Sequence, residues 1–162
     1  QIGKMQFAPA KLDVYESILY VLGLLAPTAS NKNLQLENLS KPNLFVMADE
    51  HMLHSVLENI ITNAIKFSFP ENRILVNAEK QGDFVTISIK DFGMGISQED
   101  INKLFQLEPY TRQGTAKEKG TGLGLMICKD MIEMHNGEIW LESELNKGTT
   151  FFFTVPLFKE KE

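Results

Sequence analysis

The chain has 162 residues, 43% of them hydrophobic and 23% charged, which suits one domain that closes its own core. Sixteen Lys and Arg against twenty-one Asp and Glu leave a net charge of −5. That is the wrong sign for a protein whose affinity comes from neutralising phosphate backbones, so no nucleic acid is expected as a partner. The apolar runs fall far short of the roughly 20 residues that span a bilayer, and no signal-peptide pattern opens the chain. The single cysteine, Cys128, cannot form a disulfide within the chain. A soluble piece in a reducing compartment, with a plain core or surface thiol, is the expectation.

Residues 1–5 read as the tail of a preceding segment, and residues 7–11 as a short extended stretch around Pro9. Asp13 offers an N-cap to a helix whose apolar residues Val14, Ile18, Leu22 and Leu25 recur at helical spacing, and Pro27 should kink or end it. Residues 34–39 alternate apolar and polar, and residues 44–48 form a second short strand, so an edge-like pair is predicted there. Asp49 caps the next helix, whose residues Met52, Leu53, Val56, Leu57, Ile60, Ile61 and Ala64 make one broad apolar face for a sheet. Residues 73–80 and 84–90 alternate around Gln81-Gly82-Asp83 as an antiparallel hairpin. Ser97 and Asp100 start a short helix ending near Leu104, and the polar, aperiodic residues 106–119 read as a mobile loop. A last helix over about 121–135 precedes a second hairpin, 138–143 and 149–155, turned near 146–148. This order predicts an α+β two-layer sandwich with helices on one face of a mixed sheet.

Three groups of residues carry chemistry. At about 100° per residue, Asn59, Asn63 and Lys66 fall on one edge of the helix that starts at Asp49. Amide oxygens there can hold a divalent cation and an ammonium can neutralise phosphate, although a solvated helix edge would show the same spacing. Asp91-Phe92-Gly93-Met94-Gly95 lies where a strand runs out; its glycines admit a flat ligand and its carboxylate can accept from an exocyclic amine. The Asp-Phe-Gly match to protein kinases of the eukaryotic type stands alone, without their lysine strand or catalytic loop, and is read as chance. Gly120-Thr121-Gly122-Leu123-Gly124-Leu125 sits at a helix start, where exposed N–H groups form an anion site, with a structural glycine turn as the alternative. Neither the dinucleotide fingerprint nor the P-loop fits it.

Taken in order, these elements resemble the catalytic ATP-binding domain of sensor histidine kinases, in the superfamily shared with gyrase, the heat-shock chaperone of ninety kilodaltons and the mismatch-repair ATPases. Residues 58–67 resemble the N box, 91–95 the first glycine box, Leu104-Phe105 the F box, 118–125 the second glycine box and 148–151 the final glycine-containing strand. The resemblance implies a Bergerat-type fold: a mixed five-stranded sheet with about three helices on one face. It implies ATP and Mg2+ as ligands, with Asn63 as the magnesium ligand, Asn59 as a second candidate, and Lys66 near the phosphates. Asp91 would read the adenine amino group, with Gly93 and Gly95 beside it. Gly120, Thr121, Gly122, Leu123, Gly124 and Leu125 would bed the phosphates, and residues 106–119 would be the lid. Phe67 and Tyr110 are candidate adenosine or lid contacts, and Thr149 is a candidate support for Asp91 through water. The spacing from Phe105 to the next aromatic, Tyr110, departs from the commoner F box.

Hydrolytic members of that superfamily resemble one another in carrying a glutamate four residues before the magnesium asparagine; this chain has Asn59, and an amide cannot accept a proton as general base. Glu58 lies about 100° further round and should point elsewhere. The implied activity is therefore that of a protein-histidine kinase fragment. It would donate the γ-phosphate of Mg-ATP to a histidine on a separate dimerisation domain, with a response regulator as an indirect partner. The alternatives are an ATP-hydrolysing clamp of the gyrase or chaperone type and a non-catalytic interaction module. His51 and His54 should lie on the outward side of their helix, lacking the ligands of a metal site, and His135 should end the last helix, so none is expected to accept phosphate. The implied organisation is residues 1–5 as the tail of a phosphoacceptor helix, 6–158 as the ATP-binding domain and 159–162 as a charged tail. A cytoplasmic location, without membrane contact by this domain, is implied whether or not the parent protein is membrane-anchored.

Overall fold

The computed structural model describes residues 6–105, 114 and 124–160. Elements follow in the order β1 (Pro9–Asp13), α1 (Val14–Ser30), β2 (Gln35–Asn38), β3 (Phe45–Asp49), α2 (Glu50–Phe67), β4 (Arg73–Gln81), β5 (Phe84–Lys90), α3 (Gln98–Ile101), α4 (Gly124–Met134), β6 (Ile139–Glu144) and β7 (Gly148–Pro156). A five-stranded sheet runs β2-β4-β5-β7-β6, and β1 pairs with β3 in a second, two-stranded sheet. The main sheet is mixed because β2 runs parallel to β4 while its other pairs are antiparallel. The architecture is the expected α+β two-layer sandwich.

Helix starts follow their capping residues. The Tyr15 N–H donates to Asp13 Oδ1 (3.0 Å) and the Met52 N–H to Asp49 Oδ1 (3.0 Å), each satisfying one donor that the first helical turn leaves unpaired. Helix α2 buries Met52, Leu53, Val56, Leu57, Ile60 and Ile61 among sheet residues such as Ile74, Val76, Ile87, Ile89 and Phe153, on the face its sequence period marked out. Each such aliphatic side chain contributes about 1.5–3 kcal/mol when fully buried, so this face fixes where the polar edge of α2 must point.

One expectation is corrected, and one of two alternatives is removed. Residues 34–39 and 44–48 do not pair with each other: β2 joins the main sheet beside β4, and β3 joins β1. Pro27 does not end α1, which continues to Ser30. The carbonyl deprived of a partner by Pro27 belongs to Gly23, four residues earlier; both residues are exposed, so water can take that place.

Strand β3 is held on both sides. Beyond its pairing with β1, Val46 bridges Leu157 and the Phe158 N–H donates to the Phe45 carbonyl (2.9 Å). Its last residue, Asp49, accepts the Ala8 N–H at Oδ2 (2.9 Å), and the Asp49 N–H donates to His135 Nε2 (3.1 Å). His135 Nδ1 must then carry the proton, donated to the Met131 carbonyl (2.7 Å), which makes this buried imidazole a neutral structural bridge just past the end of α4. Burial opposes the charge of Asp49, but the N–H groups of Ala8 and Met52, with a smaller contribution from His51, outweigh it and hold the carboxyl below its ordinary range. No helix among the described residues is long and apolar enough to cross a membrane.

Candidate functional site

Along the polar edge of α2, Asn59 and Asn63 are half-buried and Lys66 is buried. Asn59 Nδ2 donates to the Ser55 carbonyl (2.8 Å), and Asn59 Oδ1 is turned toward the first residue of α4: a Cβ on Gly124 would stand 2.9 Å from it. The first and third groups singled out in the sequence therefore meet. The Asn63 amide has no hydrogen-bond partner among the described residues. The Lys66 ammonium lies 5.1 Å from the centroid of the half-buried Phe67 ring. Leu125, one residue into α4, is buried in the core.

The C-terminal turn of α2 is where the second group joins. A helix leaves its last four carbonyls without internal donors, and here each has one. The Ser68 N–H donates to Ala64 O (3.0 Å), the Lys32 ammonium to Ile65 O (2.9 Å) and Lys66 O (3.0 Å), and the Met94 N–H to Phe67 O (3.0 Å). Ser68 also bridges Gly93. A Cβ on Gly93 would fall well inside van der Waals distance of the Phe67 carbonyl and the Ser68 Cα, so only glycine lets the two segments approach this closely.

Asp91, just past β5, is 4% exposed. Its Oδ1 accepts the N–H groups of Gly93 (3.0 Å) and Thr149 (3.2 Å), and its own N–H donates to the Thr149 carbonyl (2.9 Å). Thr149 thus supports Asp91 directly through its backbone, while its hydroxyl lies 2.7 Å from Ser143 Oγ. Ser143 accepts the Ile96 N–H (2.8 Å) and donates its one proton to the Gly148 carbonyl (3.1 Å), so the Thr149 hydroxyl is the donor between them. Gly148 (φ +130°) lies against the Asp91 carbonyl, and Gly95 (φ +69°) against the Glu144 carbonyl. The β6–β7 turn is in this way folded onto the loop after β5. Phe92 points away from this network, its half-exposed ring lying near Arg73 and Lys90.

Tyr110, Gly120, Thr121, Gly122 and Leu123, with the expected lid apart from Gly114, lie outside the described residues. In the F box, Leu104 is buried and Phe105 packs against the core. Lys32 and Ser143 carried no signal in the sequence: a lysine just after a helix and a serine in an edge strand ordinarily face water. Cys128 is in the core, and burial pushes its thiol up to about 12, so it is inert.

The chain is matched in known proteins over most of its length. The family of histidine kinase-, DNA gyrase B- and HSP90-like ATPases matches residues 48–159. The chain belongs to that family. The sensor histidine kinase WalK of Bacillus subtilis is 39% identical over 131 residues, 78% of this chain and 21% of the kinase, so the chain spans about a fifth of that relative's length. The catalytic domain of histidine kinase ThkA, solved without nucleotide, superposes with a TM-score of 0.81 at 31% identity, over 94% of this chain and 97% of that one. Full-length ShkA, solved with AMPPNP, has the same TM-score at 25% identity, over 98% of this chain and 33% of that one. Within this ATPase family the chain sides with the histidine kinases in sequence and in structure.

Glu58 is exposed on α2, away from the half-buried edge that carries Asn59. His51 is exposed, but His54 is half-buried and stacks on Tyr20 at 4.7 Å, so it is a packing residue between α1 and α2 rather than a free surface group. Burial lowers its basicity, the neighbouring His51 adds to that, and Glu50 works against both. Among the described residues no cluster of three or more His, Cys, Asp or Glu side chains could hold a metal ion.

Proposed function

We propose that this domain binds Mg-ATP in the cleft between α2, the loop after β5 and the start of α4, and presents the γ-phosphate to a histidine on a separate helical dimerisation domain of a two-component sensor kinase. The observation that carries the reading is the convergence of Asn59, Gly124, the C-terminal turn of α2 and the buried Asp91. Asp91 would accept from the adenine amino group, with its carboxylate already oriented by two N–H donors. Asn63, with Asn59 as a second ligand, would hold magnesium, and Lys66 with the helix start at Gly124 would face the phosphates. Bound magnesium would neutralise phosphate charge during transfer, and the chain's own share is positioning.

Position 59 bears on the kind of chemistry. Its amide donates to the Ser55 carbonyl and cannot take a proton from water, which favours transfer to a nucleophile that needs little activation over hydrolysis. The acceptor is assigned to another domain because His135 uses both ring nitrogens inside the fold, His54 is stacked, and the exposed His51 stands at the far end of α2, about 18 Å along the helix from Asn63. A response regulator would receive the phosphate afterwards, from the acceptor histidine. Titrating the chain with AMPPNP, with and without magnesium, should show magnesium-dependent binding, and incubation with labelled ATP should leave this chain unlabelled and label the helical domain once that is added. Steady ATP turnover or self-labelling by the chain alone would overturn this assignment.

A further inference from the structure

Lys32 stands two residues past the end of α1, where a lysine ordinarily extends into solvent, yet it is 8% exposed. Lysines are almost never buried unless paired. Here the ammonium donates to two successive carbonyls of α2, Ile65 and Lys66, and the Lys32 carbonyl accepts the Glu71 N–H (2.9 Å), so backbone and side chain alike are tied to the segment around the helix end. A cation at this position also offsets the negative pole of the helix.

We propose that Lys32 is a positioning residue for the nucleotide: its buried ammonium holds the last turn of α2 so that Lys66, and Asn63 one turn earlier, face the phosphates and magnesium. The inference rests on the assignment of the cleft to Mg-ATP and adds a residue that touches no ligand. The body of α2 is held by the apolar side chains of Met52 to Ile61, whereas two of the last four carbonyls accept from the Lys32 ammonium. Losing it therefore loosens the phosphate end of the helix more than the fold. The adenine end is affected less, because Asp91 is oriented by Gly93 and Thr149.

The test compares Lys32→Met, Lys32→Gln, Lys32→Arg and a core control on α1, Val21→Ala, in the intact chain. Thermal unfolding is measured beside calorimetric affinity for ATP with magnesium chloride and affinity for adenosine by NMR titration, all well below each variant's melting temperature. Lys32→Met should weaken Mg-ATP by about tenfold and leave adenosine within about twofold, with Lys32→Arg recovering most of the loss. Val21→Ala should lower the melting temperature without this split. If Lys32→Met does not fold, Lys32→Gln, which keeps a donor without the charge, carries the same comparison. Equal losses for both ligands, or affinities unchanged in the folded variants, overturn the role of Lys32 while Mg-ATP binding by the parent chain stands. Failure of the parent chain to bind Mg-ATP removes the assignment of the cleft itself.

Discussion

The two ends of the proposed nucleotide site are built differently. Around Asp91 the contacts are backbone against backbone: Gly93 lies on the Phe67 carbonyl and Gly148 on the Asp91 carbonyl, with no space for a methyl group at either place. Around Asn59 the contacts are made by side chains, and the atom nearest to Gly124 is the tip of an amide that can turn. The contrast teaches that the first end is part of what makes the chain fold, while the second can be altered at little cost to the fold and at large cost to a ligand.

Substitution at both ends tests that difference. Gly93→Ala is expected to have the largest effect, about 3 kcal/mol of stability or failure to fold, because backbone rather than a side chain must move. Thermal unfolding measures it, and a melting temperature equal to the parent's would break the contrast. Next come Asp91→Asn and Asn63→Asp. The new amide at position 91 can still accept both N–H groups at Oδ1 but presents a donor where adenine needs an acceptor, and an aspartate at 63 alters the charge beside the phosphates. Each should cost about 2–3 kcal/mol of nucleotide affinity by calorimetry while melting within a few degrees of the parent. Unfolding of both would show that these side chains, like the backbone contacts around Gly93, hold the fold rather than the ligand.

A smaller effect belongs to the start of α2, away from either end of the cleft. The carboxyl of Asp49 is held below its ordinary value, so its contribution to stability is complete above its unfolded pKa of about 3.9 and is lost as the pH falls through the lower folded value. Asp49→Asn keeps the cap but removes the titration, so the stability difference between the two proteins should shrink as unfolding is followed from about pH 6 down to about pH 3. A constant difference would show that the charge plays no part. Smallest of all, Gly124→Ala should change stability by less than about 1 kcal/mol, since the higher helix propensity of alanine offsets the displacement of the Asn59 amide. Its measurable consequence should be in Mg-ATP affinity.

Much of this was legible because local chemistry dictated it. Asp13 and Asp49 announced helix starts, the 3.6-residue period of α2 gave its buried face and therefore its polar edge, and Gly82 between two alternating runs gave the β4–β5 hairpin. What the sequence concealed depends on distant partners. Nothing in residues 35–38 distinguishes pairing with β3 from parallel pairing with β4, because a strand's alternation does not name its neighbour. Lys32 becomes buried only because the end of α2 arrives over it, and the part played by Ser143 exists only once the β6–β7 turn closes on the loop after β5. That the helix of Asn59 and the glycine-led start of α4 come together was expected from the family resemblance, not from spacing; the approach of Asn59 to Gly124 was not foreseen.

Strand β3 has a mechanical consequence. One of its sides carries the incoming strand β1 and the other takes residues 157 and 158, and the residue after its end begins α2. Tension on β1 or on residues 157 and 158 therefore bears in part on the same five residues, which lead directly into the helix that carries Asn59 and Asn63. A displacement of neighbouring parts of a larger protein would reach that helix through β3 as well as through the main sheet, whose strand β7 ends at Pro156.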